Sequence, residues 1–477
     1  MDRTPDPQRR AFLRRSGQMI GALASGTLFS TLASGAPDAR LGVLGAGHHR
    51  AKAKRVIYLF QGGGPAQMEL FDYKPELVKR HLQEMPPSVM GTSRLTGMSA
   101  NQSTFPLVKP LRTFAQHGKS GAWVSDLMPY TARIVDELCF IRTIHTEPIN
   151  HIPAVQFAQS GSQLNGRPCI GAWVSYGLGT DNRDLPPFIV MSSISYPFEQ
   201  PIDSGAWSNG FLPSQYQGVR FLPGARPVVF LENPAGLGDA DRRRALKYIS
   251  ELSKRQYEKS GDPEIPSRIS QYEMAYRMQS SIPEAIDLTD EPDSTFELYG
   301  PDSRKPGTFA HNCILARRLA ERDVKFVQLY HRGWDHHDSL PMRIDGAALA
   351  TDQPSAALVM DLKQRGLLED TLVIWGGEFG RTSYSQGRIT PASYGRDHHI
   401  GCTTYWMAGG GVNAGHVHGE TDDFSFAIAK DPVHMHDLHA TMMYLLGIDH
   451  EKLTFRYQGR DFRLTDVHGK VIAPLMA

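Results

Sequence analysis

Two short stretches carry side chains that could do chemistry together. "RGWDHHDSL", residues 332–340, sets His336 and His337 between Asp335 and Asp338. "YGRDHHIGC", residues 394–402, repeats the triplet as Asp397, His398 and His399. Between them, "VIWGGEFGRT", residues 373–382, places Glu378 in a glycine-rich turn. Imidazole and carboxylate without thiolate suit zinc, iron or manganese; all-oxygen sites suit calcium and magnesium better. Neighbouring side chains on extended backbone point apart. One histidine of each pair is therefore expected on an ion, with its neighbour supporting a ligand or facing substrate. The candidate metal residues are Asp335, His336, His337, Glu378, Asp397, His398 and His399. The expected cofactor is a divalent cation, zinc first, with manganese, iron or calcium as alternatives. The competing reading is a pair of solvated surface loops.

For three loops to meet, the elements before them must run side by side. "RVIYLF" (55–60), "LCFIRTI" (138–144), "PFIVMS" (187–192), "VKFVQLY" (324–330) and "TLVIWG" (371–376) read as buried strands, and "RPVVFL" (226–231) as a candidate for another. "TFAHNCILARRLAERD", "SAALVMDLKQRG" and "HDLHATMMYLLG" have helical spacing, the last closed by Gly447. This alternation predicts an α/β fold, a mostly parallel sheet covered on both faces. Ligand groups in such sheets gather beyond the carboxyl ends of the strands. The Asp335 and Glu378 loops are expected at that edge. Residues 397–399 are expected in a loop folding across it, before the strand "CTTYWMAGG". Residues from about 200 to 300 are rich in Pro, Gly and charge, hold two helical stretches, and read as a helical insertion. His436 and His439, three apart on the closing helix, read first as packing residues.

The chain has 477 residues, 40% of them hydrophobic, and a net charge of +1. That is enough for a large core, and the near-neutral balance argues against nucleic acid as a partner. Cys139, Cys169, Cys313 and Cys402 form no C-x-x-C pair, which argues against a zinc ribbon or a redox motif. The N-terminus has a charged start and a modestly apolar stretch of small residues, and Arg9-Arg10-Ala11-Phe12-Leu13 looks like a twin-arginine signal. Residues 1–36 are expected to be an export signal, 37–54 a linker and 55–477 the folded domain. The destination is then the periplasm or the extracellular space, with no stable membrane span once the signal is removed; an uncleaved anchor is the alternative.

Several stretches also resemble a known family. "SGAWVSDLMPYTARIVDELCFIRTIHTEPINHIPAVQFAQSGSQLNGRP", "GWDHH", "GGEFGRT", "GRDHH" and "HDLHATMMYLLGID…GRDFRLTDVHG" look like the bacterial domain of unknown function 1501 family. The resemblance covers nearly all of the chain after the signal. That family is described as sulfatase-like and is placed in the alkaline phosphatase superfamily. The resemblance implies an alkaline phosphatase/sulfatase-like α/β sandwich, with a large, mostly parallel sheet flanked by helices and metals at the strand ends. It implies metal roles for Asp335 with His336 or His337, for Glu378 in place of the Asp of "S-D-H-G", and for His398 or His399. Three departures stand out. The first strand ends in Gln61 and three glycines rather than a metal-binding Asp. Phe379 replaces the "S-D-H-G" histidine. Where sulfatases carry their nucleophile in "C-x-P-S-R", "HIPAVQFAQSG" has His151, and no hydroxyl or thiol.

The expected function is an exported sulfatase-like, metal-dependent hydrolase of sulfate or phosphate esters, acting on a small-molecule or polysaccharide ester. His151 is the candidate nucleophile, ligand or general base. Asn150 is a candidate hydrogen-bond donor to an oxyanion. Arg381 and Arg396 could grip that oxyanion in bidentate fashion, with ion pairs to nearby acids as the alternative. Thr382 is a reserve nucleophile. The alternative function is a non-catalytic exported binding or assembly protein on the same scaffold.

Overall fold

The computed structural model describes residues 42–477, apart from 92, 195–201, 223–227, 229–232, 234–235, 237, 263 and 391–392. The expected signal at 1–36 and most of "RPVVFL" lie outside the described residues. Nine strands make one sheet among the described residues. In chain order they are β1 (Arg55–Gly62), β2 (Leu138–His145), β3 (Phe188–Ser192), β4 (Val219–Phe221), β5 (Phe326–Arg332), β6 (Thr371–Gly376), β9 (Thr403–Ala408), β10 (His416–His418) and β11 (Val433–His434). A two-stranded hairpin of β7 (Gly380–Thr390) and β8 (Ser393–His399) stands beside it. Across the sheet the order is β10-β2-β9-β6-β1-β5-β3-β4, with β11 also on β2. Only β9 runs antiparallel to its neighbours.

The strands are hydrophobic on both sides because both sides are covered. All eight residues of β1 are buried. Ile57 and Leu59 enter one core cluster, Val56, Tyr58 and Phe60 the other. The first face is covered by α5 (Phe309–Glu321) and α6 (Leu340–Gln364), through residues such as Ile314 and Leu358. The second is covered by α1 (His151–Ser160), α2 (Ile170–Leu178) and α7 (Met435–Leu445), through Ala158, Trp173 and Met442. Residues 239–286 form α3 (Asp239–Ser260) and α4 (Glu264–Ile286).

The register decides where chemistry can sit. Gly62 of β1 pairs with Arg332 of β5, and Phe60 of β1 with Gly376 of β6, all in parallel. The chain therefore leaves β1, β5 and β6 at one edge, carrying Gly63, Asp335 and Glu378. β2 is antiparallel to β9, which is antiparallel to β6, so β2 points to the same edge and delivers Asn150 and His151. Two elements differ from the sequence reading. α6 starts at Leu340, fifteen residues before "SAALVMDLKQRG", and runs straight through Pro354, which reads as a breaker in sequence. Residues 397–399 lie not in a loop but at the end of strand β8.

Candidate metal centre

Each functional side chain stands at the end of an element. His151 is the first residue of α1, with Asn150 as its N-cap. Asp335 and His337 follow β5. His398 sits in β8, where the pairing with β7 is irregular between Arg396 and His398. Such an irregularity re-aims a side chain out of the regular alternation. The approach is tight at Gly63, whose φ of +110° favours glycine and where a Cβ would lie 2.5 Å from the Asp335 backbone nitrogen.

One carboxylate oxygen is the meeting point. Asp335 Oδ1 lies 2.9 Å from His337 Nε2, 3.2 Å from His151 Nε2 and 3.7 Å from His398 Nε2. His337 Nε2 and His398 Nε2 are 2.9 Å apart. One donor atom from each of the four residues falls within 4.8 Å of all the others, the arrangement a metal ion needs. Tetrahedral zinc with bonds of about 2.0–2.1 Å spaces its donors about 3.3 Å apart, and the observed separations bracket that value.

The far side of each ring is pinned. His151 Nδ1 meets Glu378 Oε1 at 2.6 Å, His337 Nδ1 meets Gln386 Oε1 at 2.5 Å, and His398 Nδ1 meets the Ile149 carbonyl at 2.7 Å. Nδ1–H bonded to an outside acceptor leaves the Nε2 lone pair facing inward, the pattern of metal-binding imidazoles. Nε2 of His151 is buried and makes no hydrogen bond, an orphan that a cation would satisfy. The chemistry of the donors and this orphaned nitrogen both fit a bound metal.

Electrostatics give the cluster a proton to lose. Burial pushes the His151 imidazolium down, but the carboxylates of Asp335 and Glu378 outweigh it and raise its pKa to about 9. His398 moves the other way, to about 4, because burial dominates, with Asp335 opposing and Arg381 adding to the shift. Asp335 is held far below the usual carboxylate range: burial raises it, and the surrounding imidazoles and Arg381 overcome that.

Other candidates are placed elsewhere, for definite reasons. Glu378 does not join the four donors; its Oε1 accepts from His151 and from the Gly63 N–H at 2.9 Å. His399 points away from His398, with Nε2 on the Phe426 carbonyl at 2.6 Å, as alternation along a strand requires. Asp397 accepts from Thr96 and Ser99, each at 2.5 Å. His336 is 3% exposed and turned into the protein, where burial, with a push from Arg381, lowers its pKa to about 3. Neither arginine is free to bind an oxyanion; the ion-pair alternative is the one observed. Arg381 donates to Asp335 Oδ1 at 2.6 Å and to the carbonyls of Gly63, Gly64 and Arg396. Arg396 donates to Glu69 Oε1 at 2.6 Å and to the Thr382 and Val108 carbonyls. Thr382 is buried, its hydroxyl on the Tyr384 carbonyl. Asn150 is exposed and precedes His151 as the N-cap of α1.

Gln386 was invisible to sequence reasoning: it lies in a hairpin arm with no motif around it. Gln61, where the resemblance leads one to expect a metal-binding Asp, is buried and accepts from the Trp334 indole at 3.0 Å. Phe379, in the place of a histidine, packs its ring 4.4 Å from His398 and 5.1 Å from His151. His436 and His439 bond the Gly161 and Ala158 carbonyls at 2.9 and 2.8 Å and fasten α7 to α1.

The sequence model of the family described as "Protein of unknown function (DUF1501)" matches residues 53–476. No curated protein matches the chain. Similar solved structures include the lipoteichoic acid synthase LtaP from Listeria monocytogenes, at 11% identity and TM-score 0.33, covering 94% of this chain and 80% of that one. Ps i-CgsB in complex with k-i-k-neocarrahexaose is 10% identical, with TM-score 0.33, covering 82% and 72%. Alkaline phosphatase from the Antarctic bacterium TAB5 is 10% identical, with TM-score 0.30, covering 83% and 98%. Likeness at this level carries no argument about activity, which has to come from the site.

Proposed function

The chain belongs to the DUF1501 family, proteins of unknown function, and from that premise we propose that it is an exported, metal-dependent hydrolase of sulfate or phosphate esters. One observation carries the reading: three imidazoles turn Nε2 toward a shared carboxylate oxygen, each with Nδ1 bonded outward. Asp335, His337 and His398 would hold the ion, zinc first. A divalent cation bound there supplies Lewis acidity to an ester oxygen and makes a water acid enough to attack at neutral pH.

The other side chains divide the remaining work. His151 holds a proton at Nε2 and passes it to the departing ester oxygen, with Glu378 fixing the ring from behind. Asn150, exposed at the start of α1, donates to an oxygen of the transferred group. Phe379 closes the space behind His151 and His398 against water. No side-chain hydroxyl or thiol is needed if water attacks directly. Export rests on the Arg9-Arg10 signal pattern, and the substrate is read as a small-molecule or polysaccharide ester.

The four-donor geometry also favours a second reading. Four protein donors can close a tetrahedral shell, as in structural sites, whereas catalytic sites keep a position open. In that case the protein is a binding or assembly module whose metal only holds loops together. Metal analysis and turnover of His151→Ala separate the two. The hydrolase keeps its metal in this variant and loses turnover of aryl sulfates, phosphate monoesters or diesters. A closed structural site loses metal, and the unmodified protein turns over none of these. Asp335→Ala should lose metal and activity together; full activity without Asp335 would end the hydrolase reading.

A further inference from the structure

A concave site whose lining includes none of the four cluster residues lies between the sheet edge and a small hairpin of residues 114–125. It is a cavity of about 220 Å³ whose lining includes Phe71, Ser120, Trp123, Phe140, Arg142 and Val417. The sheet contributes one wall by its pleat. Phe140 and Arg142 are two apart on β2 and share a face, and Val417 of edge strand β10 pairs with Phe140 in parallel. Phe71 packs on Phe140 with ring centroids 5.4 Å apart. Opposite, Trp123 is braced by Tyr73 at 4.7 Å.

Two polar groups stand among these aromatics with capacity to spare. Arg142 spends Nε and Nη2 on the Gly419 carbonyl, at 3.1 and 2.9 Å. Its Nη1 is 3.9 Å from Asp72, beyond hydrogen-bond reach, and Asp72 is already paired with Lys74 at 3.3 Å. The Arg142 side chain is 21% exposed and faces the fully buried Asp72 carboxylate across a gap too long for a hydrogen bond, so Nη1 keeps donors for a closer acceptor. The Ser120 hydroxyl is buried beside the Asp136 carboxylate, which also accepts from the Ser120 N–H at 3.0 Å, and makes no well-formed hydrogen bond of its own. Buried polar atoms are normally satisfied, and an exception asks for a partner.

We propose that this cavity is a ligand site for a small, single-ring aromatic monocarboxylate. The ring would lie among Phe71, Trp123 and Phe140, whose faces favour offset or edge contacts with another ring. The carboxylate would take the Arg142 Nη1 donors in a charge-assisted bond and accept from Ser120. The volume is below the roughly 300–1,000 Å³ of sites for drug-sized molecules, which limits the ligand to one ring. Nothing in this argument uses the metal or the proposed hydrolysis.

The test is titration calorimetry on the full chain with benzoate, benzamide and inorganic phosphate. Benzoate should bind saturably, with benzamide and phosphate each at least about tenfold weaker. Arg142→Gln should weaken benzoate about tenfold or more, and Val417→Phe, which fills the cavity, should abolish binding. Absence of saturable benzoate binding up to about 10 mM, a free energy of less than about 3 kcal/mol, would overturn the proposal. Equal binding of benzamide would remove the role of Arg142, and equal binding of phosphate the role of the aromatic walls. The three-ligand comparison uses the unmodified protein, so it decides the matter even if Arg142→Gln fails to fold.

Discussion

His151 Nδ1 and Glu378 Oε1 lie 2.6 Å apart, and the Gly63 N–H holds the same carboxylate oxygen at 2.9 Å. Glu378 thus acts on the centre through the imidazole. Glu378→Gln keeps an acceptor but loses the charge. His151 should then give up its proton more readily, so turnover should fall off at lower pH than in the unmodified protein while metal content is unchanged. A pH–rate profile beside metal analysis measures it. An unmoved profile would mean that Glu378 does not act through His151.

The proton on His151 sets a pH dependence. Its folded pKa is raised to about 9, above the unfolded value of about 6.5. In metal-free protein its stabilising contribution is complete below about pH 6.5 and is lost as pH rises through about 9. Thermal melts of metal-free protein between about pH 6 and 10 should show that loss, and His151→Gln should flatten it. An unchanged alkaline slope in the variant would mean that His151 does not carry this proton.

Buried neutral histidines give an opposite trend in acid. Burial pushes His331, helped by Arg332, and His439, helped by His436, down to about 3. The unfolded chain takes up protons first, so the stabilisation present above about pH 6.5 is lost as pH falls toward 3. At pH 5 each costs about 2 kcal/mol of stability. The melting temperature should drop between pH 7 and 5, and His439→Gln should flatten that drop.

Arg396 is expected to matter for folding alone. It is fully buried with Glu69, their side chains both 0% exposed. Removing one partner of a buried pair costs about 3–5 kcal/mol. Glu69→Gln should lower the denaturant midpoint strongly and leave metal content per folded molecule unchanged. Loss of metal from the folded variant would show that Arg396 helps to build the site after all.

Much of this architecture was legible because hydrophobic runs and helical spacing are direct consequences of burial. The stretches 55–60, 138–144 and 371–376 lie within strands of the sheet, and 187–192 coincides with β3 from Phe188 onward. Parallel pairing then brings the Asp335 and Glu378 turns to one edge. What sequence could not resolve was orientation within a few ångströms. His398 and His399 are chemically identical and adjacent; only the β7–β8 pairing decides which faces the cluster. Arg381 and Arg396 looked available because nothing local reveals the carbonyls and carboxylates that consume their donors. Gln386 supports His337 from a strand arm whose tip carries no signal of function.

The four thiols of the described chain have a practical consequence. Cys139, Cys169, Cys313 and Cys402 are buried and unpaired, and burial pushes Cys139 and Cys169 up to about 12, where almost no thiolate forms at neutral pH. No covalent crosslink among them completes this fold. The chain can reach its final shape in a reducing environment, where disulfide-forming enzymes have no part, and dithiothreitol should leave its melting curve unmoved.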